Sequence, residues 1–456
     1  MNRWDWTLRR PFFAAFAIVA VLSVSLGYLY ITGDVVSVMH PSFIAYNPET
    51  GRVMVCLLIS SDSIRTPEIV SIRFGDIICE PYNETHLRGG RGGYYPYTLG
   101  GDLTFQRGVF RLNARGKGII TVWNLPPIGE RASVVFHTSF GNSWSGEIRQ
   151  GWSGAAEKIH ANKMESYSRY AKGISEDQLN ASIPYKPHVR KWPPYSEKPY
   201  PHPSSNALYL LGLIDMGMTE RAREISDFLL WSQYNGSGYS GLVGQGMPEW
   251  RYGWPTHDFG WTDAYGYYEK PYEPSHHMDA FVVHALVKFY EVTNETKYLE
   301  ACYKWYLHQV PFFGWHEGLW RGKEYAWTEY NPTGVQPNGD PYPTDDAVNN
   351  VQSKCAMAIA ALGYSLQNET VLMNALKLLI YLCKEQGPDG SWVYFGSESS
   401  VQRSVAMDEY DLTYMRQQVY EMFEAYSYLL RAGVRDYDVE CAIGRGAVYL
   451  SMRGFT

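Results

Sequence analysis

The chain is poor in the signatures of nucleotide, metal and redox chemistry. No glycine-rich phosphate loop and no dinucleotide-binding fingerprint occurs in a strand–turn–helix context. No His-Glu-x-x-His pattern occurs among the 12 histidines. His257, His276, His277 and His316 show no ligand spacing, so neither a metal nor a cofactor is expected. None of the six cysteines lies in a Cys-x-x-Cys pair, which argues against a zinc ribbon or a thioredoxin-like motif. Basic residues are not in excess: 40 Lys and Arg stand against 47 Asp and Glu, a formal charge of -7. A nucleic-acid partner would need a basic face that this balance does not offer. Charged residues make up only 19% of the chain and apolar ones 45%, which excludes global disorder. A length of 456 residues suggests two or three domains.

What the chain has in plenty is aromatic residues, 15% of the total, with 37 Tyr, 15 Trp and 18 Phe. It also has one long apolar run, FFAAFAIVAVLSVSLGYLY at 12–30, preceded by Arg3, Arg9 and Arg10 and followed first by Asp34. A run of this length spans a hydrocarbon core. The positive-inside rule then places residues 1–34 as a cytoplasmic tip and transmembrane anchor, with the rest an extracytoplasmic ectodomain. A cleaved signal peptide is the rival reading, although Gly27-Tyr-Leu-Tyr makes a poor cleavage site. Five Asn-x-Ser/Thr sequons, at Asn83, Asn180, Asn235, Asn294 and Asn368, fit a glycosylated exported chain. Cys56 and Cys79 are candidates for one disulfide in such a compartment. Buried thiols on apolar helices are the plain alternative for Cys302, Cys355, Cys383 and Cys441.

Alternating segments such as RVMVCLLIS, EIVSIRF, GVFRLNA, GIITVWNL and ASVVFHT, separated by Gly, Pro, Asn and Asp, predict a β-sandwich domain over 35–150. It is expected either to bind glycan or to act as a spacer. From about residue 155 to 456 the period becomes helical and repeats. Second helices beginning near Met218, Asn294, Asn368 and Val434 follow apolar first helices and predict an α/α-toroid of about four helical hairpins. The expected fold class is therefore multidomain α+β: a transmembrane helix, a β-sandwich and a toroid.

The long segments between hairpins are polar and aromatic. They carry Trp250, Tyr252, Trp254 and Trp261 in the first, Trp315, Trp320, Trp327 and Tyr330 in the second, and Trp392, Tyr394 and Tyr410 in the third. Loops of such length inside a compact domain usually serve function. In a ring of hairpins they emerge at one end and line one cleft. Aromatic faces stack on the C–H faces of sugars and carboxylates bind hydroxyls, so the expected partner is a polysaccharide or other glycan. Glycoside hydrolysis would need two facing carboxylates, with Glu249, Glu329, Asp408 and Glu409 as candidates. A non-catalytic glycan-binding surface protein would use the groove alone.

The segment AWTEYNPT (326–333) resembles the Trp-x-Glu-Tyr-Pro-Thr region of D-glucuronyl C5-epimerases. DGSWVYF (389–395) resembles that family's Gly-x-Ile-Tyr segment, and MDEYDLTYMRQQVYEM (407–422) resembles the helix start that carries its third tyrosine. EPSHHMDAFVVHALVKFYEVTNETKYL (273–299) is similar to a helix pair of that family. The resemblance covers roughly 270–430 and implies an N-terminal anchor, β domains and an α/α barrel. It implies catalytic roles for Tyr330, Tyr394 and Tyr410, with Glu329 beside the first. C5-epimerisation removes the proton next to a carboxylate and returns one from the opposite face, which needs acid/base groups on both sides of the ring and a cation on the carboxylate. The family's Arg after the second tyrosine is Ser397 here, and its histidines after the third are Leu412 and Met415. Arg403 and Arg416 are therefore the candidates for carboxylate binding, with Trp250, Tyr252, Trp254, Trp261, Trp327 and Trp392 as further substrate-binding candidates. A lyase would use the same proton abstraction.

Overall fold

The computed structural model describes residues 36–455 apart from 64–65, 90–92, 140, 142, 183–184, 190–200, 235–250, 256–260, 263–267, 270–272, 331–346, 395 and 398–408, with backbone only at 261–262, 268–269 and 409–411. The apolar run at 12–30 lies outside the described residues. Among the described residues no helix is long and apolar enough to cross a membrane. The chain divides into two compact units, one ending at Trp152 and joined by Ser451–Gly454, the other made of Ser153–Leu450 with the last residues.

The first unit contains β1 (Val36–Tyr46), β2 (Val53–Ser61), β3 (Glu68–Phe74), β4 (Ile77–Pro81), β5 (His86–Gly89), β6 (Tyr94–Gly101), β7 (Leu103–Gln106), β8 (Val109–Leu112), β9 (Lys117–Leu125), β10 (Arg131–Thr138) and β11 (Ser143–Gln150). The expected sandwich is not what forms. The strands pair in the order β10-β11-β1-β2-β9-β6-β5-β4-β3, and β3 pairs back onto β10, so nine strands close into a barrel with β8 and β7 attached to β3. The closing seam places Phe136 opposite Ile72 and Val134 opposite Phe74. Closure removes the sheet edges that a sandwich would have to protect. Strand alternation fills the interior: Val53, Val55, Leu57 and Ile59 of β2 join Phe74, Phe110, Ile120 and Phe136 in one apolar cluster.

The same alternation explains why the expected disulfide is absent. Cys79 belongs to the interior cluster. Cys56 occupies an even position of β2, on the opposite face, where Thr121 Oγ1 lies 3.6 Å from its sulfur. Both are buried, and no bond joins them.

The second unit contains α1 (Gly154–Lys172), α2 (Pro203–Asp215), α3 (Thr219–Ser232), the short pair β12 (Trp261–Thr262) and β13 (Tyr268–Glu269), α4 (His276–Thr293), α5 (Thr296–Phe312), the hairpin β14 (Trp315–Trp320) and β15 (Lys323–Thr328), α6 (Asn349–Ser365), α7 (Glu369–Glu385), α8 (Glu409–Arg431) and α9 (Tyr437–Met452). Helices α1, α2, α4, α6 and α8 pack in a closed ring, each against the next, while α3, α5 and α7 back onto α2, α4 and α6. Contacts fix the directions. Ser353 meets Glu421 and Tyr364 meets Tyr428, so α6 and α8 are parallel. Lys288 meets Glu424 and Glu291 meets Arg431, so α4 is parallel to both. His160 meets Glu424 while Tyr167 meets Tyr420, so α1 runs the opposite way. The pairing of Ser168 with Asp215 and the close approach of Ala171 to Gly212 make α1 antiparallel to α2 as well. The first turns of α2, α4, α6 and α8 therefore lie at one end of the ring, together with the last turn of α1.

Local sequence sets the helix ends. Asn368 caps α7, its Oδ1 accepting from Val371 N at 3.2 Å. Asn294, with φ 58°, instead closes α4 in the left-handed conformation, and Glu295 opens α5.

Candidate functional site

A helix brings residues three and four apart onto one face. On α8 this aligns Tyr414, Gln418, Glu421, Glu424 and Tyr428 as a stripe that runs inward from the loop end. The deeper part is a buried ion cluster. Glu424 accepts from His160 Nε2 at 2.7 Å and lies 3.4 Å from His284 Nε2 and 2.6 Å from Lys288 Nζ. Burial pushes this carboxyl up, but the bonds from both histidines and the Lys288 charge outweigh it and hold the group well below the usual range. One carboxylate thus ties α1, α4 and α8 together.

One turn nearer the loop end, Glu421 is fully buried and accepts from Ser353 Oγ at 2.6 Å. Lys354 is 3% exposed and donates to Asn350 O at 3.2 Å. Burial disfavours both charged forms, so the Lys354 amine is pushed down and the Glu421 carboxyl up. Lys163 of α1 is pushed down too, first by burial and then by Lys354 and Arg416, with only Glu421 opposing. Three cations therefore share one carboxylate in this layer.

Two cavities flank the first turns of α8. The first, of about 10 Å³ and so with room for about one water, is lined by Asn350, Trp392, Val393, Tyr394, Tyr414, Met415 and Gln418. The second, of about 170 Å³, lies between α1 and α8 and is lined mainly by polar side chains, with Lys163, Arg169 and Arg416 among them. Among the described residues, no carboxylate lines it.

The first turn of α6 gathers the flanking segments. Thr328 N donates to Gln352 Oε1 at 2.8 Å, and Gln352 Nε2 returns a bond to Thr328 O at 2.7 Å. Asn349 donates through N to Tyr394 O at 3.0 Å and through Nδ2 to Val393 O at 2.8 Å. Glu329 and Tyr330, which follow Thr328, and Tyr394 are thus pinned to the same helical turn. Glu329 is 3% exposed and bonded to His316 Nε2 at 2.8 Å, and His316 stacks on Trp327 with centroids 4.0 Å apart. Tyr330 stacks on His277 of α4 at 5.3 Å. The ring of Tyr394 lies 5.7 Å from that of Tyr414.

The residues singled out from the sequence divide into three groups. Glu329, Tyr330, Tyr394 and Arg416 sit at the loop end of the ring, at one of the two cavities or at the first turn of α6. Trp250, Arg403 and Asn235, and the side chains of Trp261 and Tyr410, lie outside what is described. Three of the expected sugar platforms are packing residues instead. Trp254 is buried and donates Nε1 to Leu229 O at 2.8 Å. Trp392 is 2% exposed and donates Nε1 to Leu382 O at 2.7 Å. Each indole bonds a carbonyl in the last turn of an outer helix, α3 or α7, where the helix offers no further backbone N–H. Trp327 is the buried surface on which His316 rests. Tyr252 packs against His308 of α5 at 4.7 Å and lines neither cavity. Among the sequons, Asn83 is exposed in the turn after β4, Asn294 is exposed at the end of α4, and Asn180 and Asn368 are half-buried.

Sequence reasoning missed Lys163, Asn350, Lys354, Gln418, Glu421 and His316. The signal was present for five of them: polar residues at the inward spacing of ring helices. Asn349, Asn350, Gln352, Ser353 and Lys354 all fall in the buried first turns of α6. Among the described residues, no group of three or more His, Cys, Asp and Glu side chains is arranged to hold a metal ion.

No protein-family model matches the chain, and no curated protein matches it in sequence. Among solved structures it is similar to a family 76 glycoside hydrolase from a bovine Bacteroides thetaiotaomicron strain, with TM-score 0.38 and 10% identity over 89% of this chain and 77% of that one. It is similar to the GH76 α-mannanase of Bacteroides thetaiotaomicron, with TM-score 0.35 and 13% identity over 67% of this chain and 85% of that one. A polysaccharide lyase gives TM-score 0.33 and 14% identity over 66% and 90% of the two chains. These three are hydrolases and a lyase rather than a glucuronyl C5-epimerase. None of these likenesses assigns an activity to this chain.

Proposed function

We propose that the chain is a carbohydrate-active enzyme that abstracts the C5 proton of a uronosyl residue in a polysaccharide. One observation carries this reading: a cavity holding Lys163, Arg169 and Arg416 without a described carboxylate, separated only by the start of α8 from a cavity holding Trp392, Tyr394 and Tyr414. A uronate brings an anion that the cation-lined cavity would neutralise. Cations on the carboxylate stabilise the enolate-like charge that develops when the C5–H bond breaks.

Tyr394 and Tyr330, both held at the first turn of α6, are the acid/base candidates. Tyrosine ordinarily ionises near pH 10, so a base of this kind relies on positive charge brought near it, and Lys163 and Arg416 of the cation-lined cavity are the candidates. The electron pair left at C5 either recaptures a proton from the opposite face, which is epimerisation, or expels the oxygen at C4 with a C4–C5 double bond, which is elimination. Tyr410 belongs to the same proposal through the family resemblance. Glycoside hydrolysis is the second reading, favoured by the buried Glu329 and its bond to His316, the arrangement of a carboxylate that orients an imidazole.

The test incubates the full chain with neutral and uronate-containing polysaccharides in deuterated water. Deuterium at C5 without shortening supports epimerisation, and unsaturated ends support elimination. Shortening with saturated ends and no exchange at C5 overturns proton abstraction in favour of hydrolysis.

A further inference from the structure

We infer that the cavity between α1 and α8 admits one whole uronate ring rather than a carboxylate alone, with Asn162 of α1 and Gln417 of α8 as the residues that read its hydroxyls and so determine which uronate is accepted. The inference rests on the uronate reading above and deepens it. Lys163 and Arg416 select for charge, and the two amides select for stereochemistry.

The space exceeds what a carboxylate needs. A carboxylate replaces about one or two waters, each with a share of about 30 Å³ in the liquid. The cavity measures about 170 Å³, and an engineered apolar cavity of about 150 Å³ takes up benzene. A six-membered ring therefore fits in the same space as the charge. The bonds that continue a polysaccharide need a way out, and Arg169 and Thr413 on the lining are exposed to solvent.

The lining is also more varied than charge recognition requires. Among the described residues neither Lys163 nor Arg416 enters an ion pair. Lys163 Nζ instead lies 5.2 Å from the centre of the Tyr167 ring. Two half-buried cations without a counter-ion suit an anion. Asn162 and Gln417, both half-buried, bring one amide from each helix to the same space. An amide offers donors and an acceptor, and a sugar hydroxyl is both. Gln417 is also a partner of the buried Glu421 carboxyl, which leaves its other amide hydrogen and its carbonyl for a ligand. Ile159 and Tyr420 are buried and add apolar surface that suits the C–H face of a ring. A pocket for charge alone would need neither the amides nor this apolar wall.

The experiment titrates the full chain with the methyl glycosides of glucuronic, galacturonic and mannuronic acid, with those of glucose, galactose and mannose, and with acetate, and follows the ligand signals by NMR. The acids differ from one another at single hydroxyls, so their relative affinities read the ring. Each acid against its neutral counterpart reads the charge. The expected result is millimolar binding of one acid, at least about tenfold tighter than the weakest of the other two, its neutral counterpart and acetate. Asn162→Ala and Gln417→Leu should each bring the three acids together and keep the preference for acid over neutral sugar. Lys163→Met should reduce that preference and keep the order of the acids. A merely structural role for the amides would not move these ratios. No binding of any acid, equal binding of all three, acetate binding as tightly as the best acid, or an order of acids that survives in both amide variants would each overturn the inference. Deuterium exchange at C5 persisting alongside any of these results would leave the uronate reading standing, so the two fail separately.

Discussion

The two units are built on opposite interiors. The barrel encloses an apolar cluster without a charged residue, and the buried polar residues of its unit are the hydroxyl side chains Ser61, Ser63, Thr121 and Thr138. The helical ring buries Glu421, Glu424, Asp279, Lys354, His276 and His284. An apolar interior is the cheaper way to hold a fold. Buried ionisable groups of this kind gather at functional sites more often than in scaffolding. On the proposed function, the difference places the chemistry in the ring.

The largest expected effect tests the barrel. Phe136 is fully buried at the closing seam, opposite Ile72. Phe136→Ala should cost about 3–5 kcal/mol in a urea titration, with the glycan affinity of the remaining folded fraction unchanged. Altered affinity would show that the barrel contributes to the site.

Next comes the Lys354–Glu421 layer. Lys354→Met removes the most strongly acting of the cations around the buried Glu421 carboxyl and should cost about 1–3 kcal/mol. The double variant Lys354→Met with Glu421→Met should return to within about 1 kcal/mol of the wild type, because paired charges replaced by apolar side chains are often neutral in stability. A double variant as unstable as the sum of the singles would make the pair a structural requirement and weaken the contrast between the two units.

A smaller effect belongs to the cation-lined cavity. Lys163→Met removes a cation whose amine is pushed down first by burial and then by the charges of Lys354 and Arg416. Thermal stability should hold or rise, while affinity for an acidic oligosaccharide falls about tenfold, or about 1.4 kcal/mol. Loss of stability with unchanged affinity would assign Lys163 to the scaffold.

The smallest effect at mild pH comes from His276. Burial among Trp305 and Phe313 lowers its pKa from 6.5 to about 3. The unfolded chain binds a proton below about pH 6.5 that the folded chain refuses, so the stability contributed by the neutral imidazole is present above that pH and is lost as pH falls toward 3. His276→Phe should remove this loss. The gain over wild type is under about 1 kcal/mol at pH 6 and grows by about 1.4 kcal/mol for each further unit of acidification. Asp279 is pushed well above the usual carboxyl range by burial and acts in the opposite sense, its contribution being lost as pH rises. The comparison of wild type with the single variant separates the two.

Local features were legible in the sequence, and long-range ones were not. Strand alternation and cap residues such as Asn368 are written within a few positions of where they act. Closure of the barrel depends on β3 meeting β10, some sixty residues along the chain by their register, and nothing local distinguishes that pairing from a sandwich edge. Helix α1 escaped notice because its sequence, GAAEKIHANKMESYSRYAK, is mostly polar. It nevertheless closes the ring and carries His160 and Lys163. The tryptophans of the loops read as sugar platforms, yet Trp254 and Trp392 cap helix carbonyls, a role that only the position of an outer helix end reveals.

The central claim is that the loop end of the ring recognises an acidic glycan. The most direct measurement compares, by calorimetry, binding of an oligogalacturonide and of its neutral methyl ester to the full chain. The account predicts that the charged form binds at least tenfold more tightly and that raising the salt concentration erodes the difference. Equal affinities at low salt would contradict it.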